Sequence, residues 1–219
     1  MKLRGEVKLL IRLICLLIGY VFGCIQTAYI VGKVTKNIDV REHGSGNAGT
    51  SNVIRVIGRK AGIIVFVCDV LKAIAAFVLC AILFNGGGSF FANGLPIVPG
   101  LYAGLGVVIG HNFPFFLKFK GGKGIASSLG VMLALDLQAA LIVYAVGFVI
   151  ILLTRYMSLA SLTMSLLFPI LILIFFNHQL ETFFVTFFMA VMAFYLHRGN
   201  IQRLVSGTER KLELRKKEM

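Results

Sequence analysis

The chain has 219 residues, of which 58% are hydrophobic and only 14% charged, and its mean hydropathy is +0.90. A water-soluble surface cannot be covered at that ratio, so secreted domains and disordered regulators are excluded and an integral membrane protein is predicted. The net charge is +13. The basic residues lie between apolar runs rather than along one face, which argues against nucleic acid as a partner.

Seven apolar segments predict an all-α integral membrane protein with seven transmembrane helices. The first, residues 13–32, is too long for the core of a signal peptide, so we expect a retained helix preceded by an N-terminal extension over 1–12. The other predicted helices are 61–84, 99–116, 124–135, 137–154, 157–176 and 180–196. Helix 124–135 is too short to cross about 30 Å of hydrocarbon unless other helices shield its ends. We predict one membrane-embedded domain over 1–219, with a charged cytoplasmic tail over 208–219 in which the mixed-charge stretch 211–218 is a solvated end.

The distribution of positive charge predicts the orientation of these helices. With the amino terminus outside, 17 Lys and Arg residues lie on the inner side and 4 outside, whereas merging the fourth and fifth helices through Asp136 gives at best 12 against 9. The positive-inside rule therefore favours seven helices and a cytoplasmic carboxy terminus. The polar segments are then expected to face the cytoplasm, and the outer loops at 85–93 and 177–179, the latter with His178, contain no basic residue.

Few ionisable groups fall inside the predicted helices. Asp69 and Lys72 lie three residues apart in the second helix, and we expect them to pair because an isolated charge there would be costly. The acidic residues form no carboxylate pair or histidine cluster at metal-ligand spacing, so neither a metal nor another cofactor is predicted. The four cysteines stand singly in apolar runs and are predicted to be buried small hydrophobes: Cys15, Cys24, Cys68 and Cys80.

The first polar segment, residues 44–52, reads GSGNAGTSN and is followed by Arg55. Its glycines let successive backbone N–H groups point into one concavity, its polar side chains, Ser45 and Asn47 among them, add donors, and Arg55 supplies a forked cation. This pattern suits a phosphate group. It matches neither the Walker A motif nor the dinucleotide-binding fingerprint, and a flexible cytoplasmic loop is the alternative.

The second polar segment, residues 110–124, reads GHNFPFFLKFKGGKG. A helix is expected to end here, the glycine pair allows a tight reversal, and a new helix begins at Gly124 with its unpaired N–H groups directed to the cytoplasm. Lys123 would then lie beside an anion site, although a simple positive-inside charge is the alternative. Lys118 and Lys120 alternate with Phe and resemble interfacial residues more than ligands.

Two further polar segments begin and end the last helices. Ser158 and Ser161 share one side of the sixth predicted helix, and with no nucleophile-elbow sequence around them they are expected to bond a ligand or a neighbouring helix. The segment HRGNIQRL over 197–204 contains the donors His197 and Asn200. On its own, this segment could equally be an interfacial anchor.

Together these segments resemble the signatures of bacterial acyl-phosphate:glycerol-3-phosphate acyltransferases, over about residues 13–207. The resemblance implies a seven-helix enzyme of the bacterial inner membrane that acylates position 1 of sn-glycerol 3-phosphate from acyl phosphate, releasing lysophosphatidic acid and phosphate. It implies substrate-binding or catalytic roles for Ser45, Arg55, Lys123, Ser161, His197 and Asn200, with the backbone around Asn47 and Gly122 shaping the pocket. The segments that carry it are GSGNAGTSNVIRVIGRKAG, GHNFPFFLKFKGGKGIAS, RYMSLAS and HRGNIQRLVSG.

The resulting hypothesis is direct attack of the glycerol hydroxyl on the acyl carbonyl, with the proton passing to the departing phosphate. Lys123, His197 and Asn200 are the predicted catalytic residues, with His111 as an alternative base. The predicted substrate-binding residues are Ser45, Asn47, Arg55, Lys123, Ser158, Ser161 and Asn200. The expected partners are glycerol 3-phosphate, acyl phosphate, membrane lipid and a cytosolic acyl-phosphate-forming enzyme.

Two other classes of protein fit part of the pattern. A transporter of a phosphorylated anion would also use glycine-rich segments and helix ends. However, the polar segments are expected on one side of the membrane and no inverted repeat is evident. A membrane-surface scaffold would explain the basic loops but not their Gly, Ser and Asn residues.

Overall fold

The computed structural model describes residues 2–84, 97–175 and 180–212, and these residues form α-helices, two 3-10 helices and no strand. The 3-10 helices cover Val40–Glu42 and Phe115–Leu117. The α-helices are α1 (Lys2–Gly23), α2 (Thr27–Lys36), α3 (Thr50–Val56), α4 (Arg59–Leu83), α5 (Ile97–Asn112), α6 (Ile125–Leu135), α7 (Leu137–Thr154), α8 (Met157–Phe175), α9 (Leu180–Leu196) and α10 (Arg198–Val205).

Several helices are long and apolar enough to cross a bilayer, which confirms the predicted all-α membrane fold. Within the described ranges there are five such spans, and a sixth if α9 and α10, bent by 61°, are counted together. α6 is a shorter apolar helix of 11 residues, about 16 Å long. The number of seven spans and the orientation stay predictions. The predicted outer loops 85–93 and 177–179, with His178, lie outside the described residues.

The first predicted helix, 13–32, is wrong as a single uninterrupted element. Helix α1 begins at Lys2, so most of the predicted extension is helical, and the chain breaks before α2 starts at Thr27. The Gln26 side chain stabilises the chain at this break, because it donates to the backbone oxygens of Gly23 (3.2 Å) and His111 (3.1 Å). The carbonyl groups released where α1 ends are thus bonded inside the protein, as the apolar surroundings require.

The remaining helix boundaries follow the sequence pattern closely. Helices α7 and α9 have the predicted limits, and α4, α6 and α8 differ from prediction by at most two residues at either end. Asp136 is extended between α6 and α7, and Arg155, at φ 62°, separates α7 from α8. Helix α5 ends at Asn112, earlier than predicted, because Pro114 has no N–H and disfavours helix at the residue before it.

Residues 1–137 form one compact unit, in which α1 packs along α5 and α4 packs against both α5 and α6. Glycines allow the α1–α5 contact: a Cβ on Gly19 or Gly23 would collide with backbone atoms of α5, and one on Gly106 or Gly110 with those of α1. Small residues spaced four apart let two membrane helices approach backbone to backbone. This packing holds the end of α5, and hence the segment that follows it, in place.

Residues 138–219 form the second compact unit. In it α8 packs along α9, Gly147 of α7 lies against Met164 of α8, and α10 packs against both α8 and α9. Helix α10 was not predicted, and neither was α3 in the first unit.

Candidate active site

The first glycine-rich segment has a defined structure rather than being a flexible loop. Asn52, which is 1% exposed, donates through Nδ2 to the backbone oxygens of Val40 (2.7 Å) and His43 (3.0 Å). Its Oδ1 accepts from the backbone N–H of Ser45 at 2.7 Å. Gly44, at φ +63°, lies so close that a Cβ would strike this side chain. Asn52 therefore fixes the backbone that was predicted to bind phosphate.

A small cluster of buried apolar side chains includes residues of this segment and of the helices around it. Its buried members are Ala28, Val40, Ala48, Val53 and Val65. Outside this cluster, Ser45 and Arg55 are exposed and Asn47 is partly buried. Ser45 and Arg55 are therefore accessible to a substrate, and Asn47 is partly accessible.

The second glycine-rich segment folds back onto the end of α5. The backbone N–H of Gly121 donates to the oxygen of Asn112 (3.1 Å), and that of Gly122 donates to the oxygen of His111 (3.0 Å). Gly124 adopts φ +75° and is the N-cap of α6, which begins one residue later than predicted. Lys123, partly buried, therefore immediately precedes a helix start whose first N–H groups have no partner within the helix.

Several buried polar side chains in these two segments have no hydrogen-bond partner. Both amide atoms of Asn112 are unpaired although the residue is only 2% exposed, and its amide lies against Gly124. The hydroxyl groups of Thr50 and Ser127 are also buried and unpaired. Such groups are rare in folded proteins, and at a helix start they favour a polar ligand.

Arg41, which was not predicted, links the 3-10 helix before the first segment to the second segment. Its guanidinium pairs with Asp39 at 2.6 Å and donates through Nη1 to the backbone oxygens of Leu117 and Lys120, each at 3.1 Å. The hydrogen bonds from Arg41 lower the pKa of Asp39, and the carboxylate raises the pKa of Arg41 in return. The turn after α2 and the turn after α5 are thereby held together by one side chain.

The predicted pairing of Asp69 with Lys72 is confirmed, and it is part of a larger buried network. Lys72 Nζ lies 2.7 Å from Asp69 Oδ1 and 3.0 Å from His111 Nδ1, and it donates to the backbone oxygen of Ile25 at 2.8 Å. Thr27 donates to the same Asp69 oxygen at 3.2 Å. Of the four cysteines, Cys15, Cys24 and Cys80 are buried as predicted, but Cys68 is exposed on the outer face of α4.

In the second unit, two of the predicted residues, Ser158 and Asn200, bond to a carboxylate that was not predicted. Glu209 Oε1 accepts from Ser158 Oγ (2.9 Å) and Asn200 Nδ2 (2.7 Å), and its Oε2 accepts from Arg203 Nε (2.7 Å). Burial alone would raise the pKa of Glu209, but these three hydrogen bonds outweigh it and the pKa lies below its ordinary value. Ser161 instead donates to the backbone oxygen of Met157 (2.8 Å).

Glu209 attaches the beginning of the predicted tail over 208–219 to the second unit. In addition to its bonds, the backbone N–H of Leu212 donates to the oxygen of Arg155 at 2.8 Å, so the described part of the tail is attached to the start of α8. The sequence does not single Glu209 out, because Glu213 and Glu218 lie in the same basic tail. Residues 213–219 lie outside the described part.

His197 lies at the junction of α9 and α10 and is buried. Its Nδ1 is 2.7 Å from the backbone oxygen of Ala193, so Nδ1 carries the proton of this bond. The predicted residues are divided between the units: 45, 47, 55, 111 and 123 belong to the first, and 158, 161, 197 and 200 to the second. Within the described residues, no group of three His, Cys, Asp or Glu side chains could hold a metal ion.

Comparison with known proteins decides the family. A family model described as glycerol-3-phosphate acyltransferase matches residues 13–207. The chain belongs to this family. Relatives named glycerol-3-phosphate acyltransferase include one from Thermoanaerobacter sp. (strain X514), 45% identical over 90% of this chain and 93% of the relative. Another, from Alkaliphilus metalliredigens (strain QYMF), is 43% identical over 93% of this chain and 97% of the relative.

Solved structures of the family share the fold. A crystal structure of PlsY, an integral membrane glycerol 3-phosphate acyltransferase, in its glycerol 3-phosphate form matches with a TM-score of 0.81 and 33% identity, covering 92% of this chain and 96% of that one. Its lysophosphatidic acid form matches with a TM-score of 0.78 at the same identity. The family membership confirms the predicted resemblance and makes the protein a multi-pass membrane acyltransferase.

Proposed function

We propose that this acyltransferase moves a fatty acyl group from acyl phosphate to the position 1 hydroxyl of sn-glycerol 3-phosphate. The products are lysophosphatidic acid and inorganic phosphate. The observation that carries this proposal is the match of nearly the whole chain to a protein crystallised in its glycerol 3-phosphate form. The proposed acyl donor, acyl phosphate, rests on the resemblance of the polar segments to those of acyl-phosphate-dependent acyltransferases. It also rests on the cationic and hydrogen-bonding residues of the two units.

An acyl phosphate is a mixed anhydride and is already activated, so the reaction needs no acyl-enzyme intermediate. In the proposed step the glycerol oxygen bonds to the acyl carbon, the bond from that carbon to the phosphate oxygen breaks, and the hydroxyl proton passes to the departing phosphate. The serine environments support direct attack: Ser158 is bonded to Glu209, and Ser161 to a backbone oxygen of its own helix. Among the described residues, neither serine donates to a histidine, the usual general base of a serine nucleophile.

Two phosphoryl groups must come together, and their charges repel unless cations and donors offset them. In the first unit we assign Arg55 and Lys123 to this task, with Ser45 and Asn47 as further donors. Support comes from the start of α6, where the unpaired amide of buried Asn112 lies beside Gly124. Fixed donors of this kind stabilise an anion without reorganising during the reaction.

In the second unit we assign Asn200, His197, Ser158 and Ser161 to substrate binding and catalysis. Glu209 holds Asn200 and Ser158 through one carboxylate oxygen, which orients both side chains before a substrate arrives. Orientation of this kind lowers the entropic cost of reaching the reactive geometry.

We also propose that the polar segments face the cytoplasm of a bacterial inner membrane, where a cytosolic enzyme that forms acyl phosphate would supply the donor. The excess of basic residues on one side, 17 against 4, supports this orientation. Ser45 is exposed and suits a test. In a background without native cysteines, Ser45→Cys should react with a membrane-impermeant maleimide in inverted vesicles and stay unlabelled in right-side-out vesicles. The opposite pattern would contradict the orientation.

The donor is tested with purified protein in lipid, glycerol 3-phosphate and one donor at a time. We expect lysophosphatidic acid and an equal amount of phosphate with palmitoyl phosphate. We expect no product with palmitoyl-CoA or with acyl carrier protein that carries a palmitoyl thioester. Product from either thioester would contradict the assigned donor. Flux of labelled glycerol 3-phosphate across proteoliposomes without new lipid would favour the transport alternative.

The cation assignment is tested by Arg55→Ala and Lys123→Ala. Loss of an anion-binding group from a preorganised site typically costs about 10²–10³ in rate, and we expect each variant to lose about that much kcat/KM. Lys120→Ala is the matched control, because Lys120 is exposed in the same segment and is not assigned to a substrate. Parent-like rates in correctly inserted Arg55 and Lys123 variants would contradict the assignment.

A further inference from the structure

Lys72 is a buried lysine with a full set of acceptors. A charged lysine offers three hydrogens and accepts none. Its Nζ lies 2.7 Å from Asp69 Oδ1, 2.8 Å from the Ile25 backbone oxygen and 3.0 Å from His111 Nδ1. The carboxylate beside it favours the ammonium form, whose three hydrogens are directed to these three near neighbours, and the Gly23 backbone oxygen lies further away at 3.4 Å.

This geometry decides where His111 carries its proton. Nδ1 accepts from the ammonium and therefore has no hydrogen of its own, which leaves a neutral ring with the proton on Nε2. A proton on Nδ1 would face a cationic donor 3.0 Å away, in a place where the ring is 3% exposed. Water cannot screen that repulsion.

The Nε2 edge of His111 meets both glycine-rich segments. A Cβ on Gly122 would fall on Nε2 of His111 and within 2.8 Å of the backbone oxygen of Ala48. Gly122 of the second segment therefore lies between the imidazole edge of His111 and Ala48 of the first segment. The Gly122 N–H bond to the His111 backbone oxygen, at 3.0 Å, fastens the same residue pair from the other side.

We propose that Lys72 and Asp69 are positioning residues that hold His111 as the Nε2–H tautomer, and that His111 presents this N–H as a donor where Gly122 lies beside the backbone oxygen of Ala48. The contribution of His111 to turnover rests on the proposed function, whereas the assignment of its proton to Nε2 does not. His111 is then not the base, because its one basic nitrogen is occupied by Lys72. His197 is the opposite case, since its Nδ1 donates to Ala193 and its lone pair in the neutral form lies on Nε2.

The tautomer is tested directly by nitrogen NMR of the full-length protein in nanodiscs, with ¹⁵N-labelled histidine and no substrate. We expect the His111 signals, assigned by their loss in His111→Gln, to report a protonated Nε2 and a bare Nδ1 across neutral pH. His197 should give the reverse pattern in the same spectrum and serves as an internal control. A bare Nε2 or a doubly protonated ring at His111 would overturn the proposal, whether or not the protein has the proposed activity.

Lys72→Met tests the part played by the lysine. Without the ammonium donor, we expect the His111 signals to show a mixture of both tautomers. An unchanged Nε2–H tautomer in this variant would overturn the positioning role of Lys72.

The activity of His111 variants distinguishes a hydrogen-bond donor from a general base at this position. Glutamine can place an N–H near the position of Nε2 but cannot take up a proton near neutral pH. We expect His111→Gln to keep kcat/KM within about 5-fold of the parent and His111→Ala to lose about 50-fold, the range for a buried hydrogen bond. Equal losses of kcat in both variants, with KM unchanged, would indicate a base and overturn the proposal. Absence of lysophosphatidic acid from the parent would contradict the proposed function instead.

Discussion

Asn200 donates its side-chain amide to Glu209 across 2.7 Å, and the same carboxylate oxygen accepts from Ser158 at 2.9 Å. A residue from the chain beyond α10 therefore holds two predicted substrate-binding side chains, one on α10 and one on α8. Glu209 lies two residues past the end of the family match at 207. Its effect on activity is expected to come through Asn200 and Ser158 rather than through contact with substrate.

Glu209→Ala should lower kcat by about 10- to 100-fold, because hydrogen bonds to a charged group contribute about 1.5–3 kcal/mol and Asn200 would lose its orientation. Steady-state kinetics with glycerol 3-phosphate and acyl phosphate provide the measurement. Glu42→Ala is the control, since Glu42 is an exposed carboxylate outside this cluster. A correctly inserted Glu209→Ala protein with the kcat of the parent would show that Asn200 needs no such support.

The lowered pKa of Glu209 predicts how stability depends on pH. Because its pKa lies below the ordinary 4.5, the folded state favours the ionised form, so the stabilisation is complete above that value and is lost as the pH falls through the folded pKa. Thermal unfolding in detergent should show Glu209→Gln less stable than the parent near neutral pH, with the difference shrinking in acid. Asp39→Asn should follow the same trend, because Arg41 lowers the pKa of Asp39. A difference that stays constant over this range would contradict the assignment.

Gly122→Ala should reduce both stability and activity. The new Cβ would collide with the His111 ring and approach the Ala48 oxygen to 2.8 Å, so the segment that carries Lys123 must shift. Overpacking of this kind costs about 1–3 kcal/mol in the free energy of unfolding. Thermal unfolding and kcat/KM are the measurements. Gly5→Ala is the matched control, because Gly5 is helical and nothing lies within 4 Å of its Cβ position.

Arg41→Lys keeps the positive charge but removes the fork that reaches both turns. Lysine cannot pair with Asp39 and at the same time donate in the same geometry to the Leu117 and Lys120 oxygens. We expect KM for at least one substrate to rise several-fold, with a lower unfolding temperature. Arg59→Lys, an exposed position at the start of α4, is the matched exchange. Equal behaviour of the two variants would show that the Arg41 bridge is dispensable.

Much of the helical architecture was predictable because apolar runs in a membrane protein have few alternatives to the helix. The breaks at Asp136 and Arg155 were predicted from charge placement, and both are present in the structure. The break at 24–26 was not, because this stretch is apolar apart from Gln26. Its stabilising partners are Lys72 and carbonyl groups of α5, which are far away in sequence.

The residues of the candidate site also fall into a predictable group and an unpredictable one. The glycine-rich segments, the lysine before α6 and the donors of 197–200 were recognisable, since their residue types are unusual between apolar helices. Asn52, Arg41 and Glu209 were missed. Each acts through contacts that depend on how the chain folds back on itself, and their residue types alone are common in any polar loop.

By itself, the sequence determined that this protein is a helical membrane acyltransferase with polar segments rich in glycine and basic residues. Hydropathy and residue type act locally and are readable along the chain. Only the tertiary structure decided that Lys72 bonds to His111 and that Glu209 bonds to Asn200. A hydrogen bond depends on angstrom-scale distance and direction between side chains, and only the folded chain sets both.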